Sequence, residues 1–444
     1  MVLFSPFFLF QRISKEGIVY HTGKEDIFFL NDVATDILHM IQYNPSKKDI
    51  HHMLSYLYEE REGATQCLTE LEAQGLIIPS KAESVDSDMI INEIEKQREF
   101  PYFGRPLSVN IFVNSLCNLS CKFCFLEGFS SESHMGIHEW LDIVNCMLEN
   151  NAFKFSIAGL EPLLTPDHTF SLLEHIRHHN RIGGFISNGT TPLSKENIEK
   201  MNRHQIVATF SMESIHPSIH DHMSSVSGSH AHCMNNIEAL LDAHIPFSLQ
   251  SYASRENASE IPELVEYCSQ KGIPQFSMLN LMGGRWVEGE DFFDYALTPH
   301  EYRTLAERIQ KKNMVVEYEH FNFEVMTNEY AYNFFTHCTC SAGKSSVTIS
   351  PDGKVYPCPA SLTEDTFCMG DAIDIASLWK GKVVQLFRPE RNQMKSESCR
   401  HCPIFIYCRG GCLMTANYVL GDLYAGDPRC PRVYEEYFGE GTPC

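Results

Sequence analysis

Cys117-Asn118-Leu119-Ser120-Cys121-Lys122-Phe123-Cys124 is the stretch on which the reading of this chain turns. Its three cysteines form a C-x3-C-x2-C loop directly after an apolar, strand-like run, Leu107–Val113. Thiolate sulfur is a soft ligand that suits iron–sulfur clusters and zinc. Three thiolates this close together can hold a cubane cluster and leave one iron open, and an open metal position is where a small molecule chelates. A zinc knuckle short of its fourth ligand, or simply buried thiols, are the plainer readings of the same residues.

Downstream of the loop, strands and helices alternate. The strand-like runs are Leu107–Val113, Phe153–Ala158, Gly184–Ser187, Ile206–Met212, Pro246–Tyr252 and Gln275–Leu279. Helical stretches at His138–Leu148, Phe170–His178, Lys195–Arg203, Asn235–Ala243 and Ile261–Lys271 lie between them. This alternation predicts an α/β fold with a parallel sheet closed into a partial (βα)6 barrel over residues 105–285. Sites in such folds collect at the C-terminal ends of the strands, where the cysteine loop falls.

Upstream, residues 1–80 read as a small winged-helix-like module. Phe8–Ile13, Ile18–His21 and Asp26–Leu30 are short strands, Asn31 caps a first helix and Ser46 a second, and Gly75 ends a third before Leu76–Ile78. Residues 81–104 are polar and read as a linker, partly helical, and 286–337 as a mainly helical bridging region with aromatic insertions. Residues 338–444 form a turn-rich, cysteine-dense C-terminal domain.

The 444 residues suggest about three domains. With 43% hydrophobic and 21% charged residues, a buried core is attainable and wholesale disorder is excluded. The net charge of −22 repels phosphate backbones, and the third N-terminal helix carries Glu70 and Glu72 where a DNA reader needs bases, so no nucleic-acid partner is expected. No run reaches the ~18 apolar residues of a membrane span. The apolar run Val2–Phe10 is interrupted by Pro6, and Arg12 and Lys15 follow it, unlike a signal peptide. A cytoplasmic protein is expected, and there the 17 cysteines favour metal binding over disulfides. Ten of them fall into three spaced groups; Cys67, Cys146, Cys233, Cys268, Cys338, Cys368 and Cys444 do not.

The cysteine loop, with Phe123 before its last cysteine and six βα units around it, resembles the radical S-adenosylmethionine (SAM) superfamily. The resemblance implies a [4Fe–4S] cluster on Cys117, Cys121 and Cys124 whose open iron binds SAM, and reductive cleavage to a 5′-deoxyadenosyl radical. It implies SAM contacts at Phe123 and at successive strand ends. Gly159-Leu160-Glu161-Pro162 is similar to the family's Gly-Gly-Glu-Pro, with Leu160 in place of a glycine. Ser187-Asn188-Gly189 resembles Thr-Asn-Gly, and Ser211-Met212-Glu213 occupies the place of polar contacts to SAM. Gly159, Glu161, Asn188, Ser211 and Glu213 are the residues so assigned.

The later cysteines, with the turn Pro351-Asp352-Gly353, are similar to a SPASM domain, which implies two auxiliary [4Fe–4S] clusters and three clusters in all. By position, Cys399, Cys402, Cys408 and Cys430 hold one; Cys340, Cys358 and Cys412 hold the other. Where relatives often carry its remaining cysteine, this chain has Ser346. Cys338, Cys368 or an open iron are the alternatives. A zinc-ribbon pair is the plainer reading. Residues 1–80 resemble a RiPP recognition element, which binds the leader of a ribosomally made precursor peptide by pairing it with a strand edge, here near Asp26–Leu30.

Together these resemblances imply a peptide maturase, fed electrons by a flavodoxin or ferredoxin, that installs a thioether or carbon–carbon cross-link. A sulfatase-type maturase forming formylglycine, a peptide epimerase and a non-catalytic Fe–S regulator are the alternatives. The histidines of His216–His232 fit no ligand spacing and are expected to be solvated loop residues.

Overall fold

The computed structural model describes residues 3–4, 8–13, 15–21, 26–58, 61–78, 85–99, 103–287, 291–310, 316–318 and 340–439. Two compact units emerge. One comprises Met1–Ser108 with Met147–Lys154 and His179–Ile182; the other comprises Val109–Cys146, Phe155–His178 and Gly183–Cys444.

In the first unit, β1 (Leu3–Phe4) pairs antiparallel with β5 (Ile77–Ile78), and β2 (Phe8–Ile13), β3 (Glu16–His21) and β4 (Asp26–Leu30) form an antiparallel sheet in that order. Among the described residues β4 is therefore an edge strand, and it exposes Phe28 and Phe29. Three helices follow as the sequence predicts. The Asn31 side chain accepts from Ala34 N at 2.9 Å to start α1 (Asp32–Ile41). Ser46 and Asp49 form a capping box at α2 (Lys47–Leu57). Gly75, at φ +73°, turns the chain out of α3 (Arg61–Ala73). The segment expected to be a linker holds a fourth helix, α4 (Ser87–Glu99), whose Ile90, Ile91 and Ile94 join the module's core beside Ile37, Ile50 and Leu54. Three apolar residues spaced for one helical face suffice to dock it, although the surrounding sequence is polar.

The second unit is built on a long sheet. Its strands β6 (Ser108–Phe112), β7 (Lys154–Ala158), β8 (Ile182–Ser187), β9 (Val207–Ser211), β10 (Phe247–Ala253) and β11 (Gln275–Asn280) lie side by side in chain order, and β12 (Val316–Tyr318) extends the far edge. The pairs from β8 to β12 are parallel. Crossover helices α5 (Ile137–Glu149), α6 (Pro166–His178), α7 (Lys195–His204), α8 (Pro217–Ser224), α9 (Ser229–Asp242) and α10 (Ile261–Lys271) give the βα alternation of a partial barrel. Phe170, Phe185, Phe210 and Phe247 knit α6 to three neighbouring strands, with successive ring centroids 5.7, 6.4 and 6.1 Å apart. The bridging region forms α11 (Phe292–Tyr295) and α12 (Pro299–Gln310); apart from β12, residues 311–339 lie outside the described residues.

The C-terminal domain continues the same sheet. Beyond β6 come β13 (Ser346–Ile349), β14 (Lys354–Tyr356) and β15 (Gly370–Asp371), with β13–β14 and β14–β15 antiparallel. The Pro351-Asp352-Gly353 turn needs its glycine: φ is +81°, and a Cβ there would meet Met135 Sδ at 2.9 Å. A shared apolar cluster contains Phe112 and Leu126 of the barrel with Tyr356, Leu362, Phe387 and Leu413 of the C-terminal domain. The cysteine loop and the later cysteines are thus carried on one packed framework.

Candidate SAM and iron–sulfur sites

The loop after β6 is pinned where it matters. Ser120 N donates to Ser224 O at 3.2 Å and Lys122 N to Met223 O at 3.1 Å, so the end of α8 holds the loop between the first and third cysteines. Cys117 and Cys121 are exposed and Cys124 partly so. Protein packed around the Cys121 thiol, with Glu213, Cys124 and Cys117 as negative neighbours, pushes its pKa up to about 12. Leu119 N and Asn188 Nδ2 approach Cys117 Sγ at 3.4 and 3.9 Å. A donor set of three clustered sulfurs open on one side fits a cubane with one free iron better than closed tetrahedral zinc.

The assigned strand-end residues gather around this loop. Glu161 is fully buried: Oε1 accepts from Leu163 N at 2.8 Å and Ser187 Oγ at 2.9 Å, and Oε2 from Asn188 N at 2.8 Å. Burial carries its pKa to about 7 against those three donors. Asn188 in turn donates to Asn118 Oδ1 at 2.9 Å, tying β8 to the cysteine loop. Glu213 accepts from Ser251 Oγ and Tyr252 N, both at 2.9 Å, and burial raises it to about 7 as well. Ser211 accepts from Gln250 Nε2 at 3.0 Å. Gly159 sits at φ +151°, where a Cβ would meet Asn114 O at 3.2 Å. Leu160 packs at the edge of the apolar cluster that also contains Cys340, Cys358 and Cys412, which explains a large side chain beside that glycine. Phe123 stacks within an aromatic group, 5.3 Å from both Trp286 and Tyr295.

Sequence reasoning missed the residues that brace these groups. Asn114, fully buried at the end of β6, donates to Glu161 O at 3.0 Å and Thr165 Oγ1 at 2.8 Å and accepts from Leu116 N. Asn257 does the same for Glu213 O at 3.0 Å and Ser251 Oγ at 3.2 Å. A polar residue directly after a predicted barrel strand was the available signal, and Asn114 carries it. The histidine stretch needs correction. It forms α8 and the start of α9, and His220 and His230 are buried, 5.7 Å apart ring to ring. His220 Nδ1 accepts from Glu213 N at 3.2 Å, and burial lowers its pKa to about 4. His216 does stay at the surface, beside Glu260 and Glu263.

The C-terminal cysteines form two sets. Cys399, Cys402, Cys408 and Cys430 all line one small cavity. Cys340 and Cys412 are the negative neighbours of Cys358 after burial, which raises the thiol strongly. Cys412 N is held by Asp427 Oδ2 at 2.8 Å, and Asp427 is paired with Arg429 at 2.8 Å in the interior. Four sulfurs around one cavity, and three more in a second group, fit two clusters. Ser346 is occupied with Ser341, their hydroxyls 2.8 Å apart. The Cys368 thiol is engaged by the Tyr356 hydroxyl, and Cys338 lies outside the described residues.

Comparison with known proteins agrees with this geometry. Residues 111–268 match the radical SAM superfamily model, and residues 338–403 match SPASM, an iron–sulfur cluster-binding domain. The chain is 25% identical over 325 residues to the antilisterial bacteriocin subtilosin biosynthesis protein AlbA of Bacillus subtilis (strain 168), covering 70% of this chain and 68% of that protein. It is 23% identical over 341 residues to the PqqA peptide cyclase of Streptomyces rochei, covering 74% and 90%. The crystal structure of Streptococcus suis SuiB bound to S-adenosylmethionine is similar with a TM-score of 0.72 at 18% identity, over 97% of this chain and 100% of that one. This chain carries a radical SAM domain over residues 111–268 and a SPASM iron–sulfur cluster-binding domain over residues 338–403.

Proposed function

We propose that this enzyme is a maturase of a ribosomally made peptide, with three [4Fe–4S] clusters on the three cysteine sets. The observation that carries the reading is the pairing, in one chain, of an N-terminal module presenting an edge strand with a radical SAM and SPASM core. SuiB bound to its precursor peptide SuiA has a similar fold over 93% of this chain (TM-score 0.69, 18% identity, 96% of that chain). The relatives named as a peptide cyclase and a bacteriocin biosynthesis protein point to the same substrate class.

When bound, SAM and the open-iron cluster supply a 5′-deoxyadenosyl radical that removes a hydrogen atom from the peptide. The chain's own residues prepare that event. Cys117, Cys121 and Cys124 offer three ligands and no fourth; Glu161 and Asn188 lock the ends of β7 and β8 beside them; Gly159, Ser211, Glu213 and Phe123 complete the SAM surface. Cross-linking removes one hydrogen atom, one proton and one electron from the peptide, and the buried SPASM cysteines are suited to hold acceptors for the electron. The β4 edge, with Phe28 and Phe29 exposed, offers main-chain pairing and apolar contacts to a leader. A flavodoxin or ferredoxin supplies the first electron, and the cytoplasm, which keeps thiols reduced, is the compartment. Among the described residues no helix is long and apolar enough to cross a membrane.

The test uses peptides encoded by the short reading frames beside this gene, incubated anaerobically with the reconstituted enzyme, SAM and a reductant. The expected product has lost two hydrogens and contains no aldehyde. An unchanged mass with an inverted residue indicates an epimerase, and an aldehyde indicates a formylglycine-forming enzyme; either would overturn the cross-linking assignment. The double variant Phe28→Asp/Phe29→Asp is expected to bind the peptide at least tenfold more weakly in fluorescence anisotropy while still cleaving SAM, about 1.4 kcal/mol of lost contact.

A further inference from the structure

Lys344 lies in the turn that leads into β13, between the two C-terminal cysteine sets. Its Nζ donates to Cys408 O at 3.1 Å, a carbonyl of the four-cysteine set. Its other charged neighbours include Cys340 and Cys412 of the second set, and Arg409. Lys344 is only partly exposed, and its ammonium end lies against that carbonyl. Among the described residues no carboxylate stands within ion-pair distance of it. Asp427, the acid beside Cys408 and Cys412, is already committed: Arg429 grips it twice, at 3.0 and 2.8 Å, and it accepts from Cys412 N.

An ammonium drawn in from water with no anion beside it is costly, and a counter-charge arriving next to it offsets that cost. Here the nearest groups able to supply it are the cysteines on either side. A [4Fe–4S] core held by thiolates is net anionic, and more so when reduced. A cation nearby favours the reduced state and so raises the potential. A backbone carbonyl alone would be satisfied by any neutral donor, so the choice of lysine calls for a reason based on charge.

We propose that Lys344 is the shared counter-ion of the two auxiliary clusters, a positioning residue that raises the reduction potentials of both. The proposal rests on the reading that these cysteine sets hold two clusters. It gives the turn between them a function: an electron arriving at either cluster is stabilised by the same ammonium, so reduction of one weakens the pull on the next.

The test uses the full chain carrying Cys117→Ala, Cys121→Ala and Cys124→Ala, so that only the auxiliary clusters report. After anaerobic reconstitution, redox titration followed by electron paramagnetic resonance compares Lys344 with Lys344→Arg, Lys344→Gln and Lys344→Met. Both midpoints are expected to move to more negative potentials in Lys344→Gln and Lys344→Met and to stay near the parent's in Lys344→Arg. Failure of Lys344→Gln to load clusters that Lys344→Arg loads would also support the counter-ion role. Unmoved midpoints in a fully loaded Lys344→Gln, movement of one midpoint only, or a loss of loading shared by Lys344→Arg would overturn it. A parent holding about four irons instead of about eight would overturn the two-cluster reading beneath it, which iron analysis separates from the proposal itself.

Discussion

The cysteine loop after β6 and the cysteines of the C-terminal domain use the same ligand atom in opposite settings. Cys117 and Cys121 are exposed residues on a loop whose backbone is pinned by α8. Cys399 and Cys402 are buried, Cys408 and Cys430 share their cavity, and a buried Asp427–Arg429 pair orders the chain beside them. An open metal position permits exchange of a small molecule; a closed set of ligands favours permanence and electron storage. Three ligands in the loop and four around the C-terminal cavity follow that division. On the proposed function, bond-breaking belongs to the loop that follows β6 and electron acceptance to the set inside the C-terminal domain.

The contrast breaks most sharply at the cysteines. Alanine at Cys117, Cys121 or Cys124 is expected to abolish formation of 5′-deoxyadenosine while removing about one third of the iron. Alanine at Cys399 or Cys402 is expected to remove a similar share yet leave reductant-driven SAM cleavage measurable. Chromatographic assay of 5′-deoxyadenosine beside iron analysis distinguishes them, and equal loss of cleavage in both sets would erase the division.

A smaller effect tests the claim that the C-terminal set depends on an ordered interior. Asp427→Ala leaves Arg429 enclosed without its anion and Cys412 N without its acceptor. The expected loss is about 3–5 kcal/mol of stability, read by denaturant unfolding. A cost below about 1 kcal/mol would show that the pair is incidental.

The smallest effect concerns the barrel side. The Glu213 pKa is raised from 4.5 to about 7 by burial. Its stabilising contribution is therefore complete below the unfolded value and lost as pH rises through about 7. Glu213→Gln keeps an acceptor for Tyr252 N and Ser251 Oγ but cannot ionise. Between pH 5 and pH 8 the variant is expected to gain about 2–3 kcal/mol on the parent in SAM-free protein. A constant difference across that range would contradict the assignment.

What the sequence made legible follows from local physics. Strands β6 to β11 were found because β-rich apolar runs alternate with helical patterns, and Asn31, Ser46 and Gly75 mark helix ends by their own backbone chemistry. The cysteine sets were legible because spacing within a loop is itself the geometry of a ligand set. The docking of helix α4 was obscured because Ile90, Ile91 and Ile94 are its only buried apolar residues in a polar segment. His220 was misplaced because its burial depends on His230 and on a backbone N–H from Glu213, contacts made only when the barrel closes. Asn114, Asn257, Asp427 and Lys344 carry no motif; their importance comes from partners distant in sequence.

Iron and acid-labile sulfide per chain, measured after anaerobic reconstitution, test the central claim most directly. The account predicts about twelve of each, falling to about eight when Cys117, Cys121 and Cys124 are all replaced by alanine. About four of each with zinc bound in the C-terminal domain would contradict it.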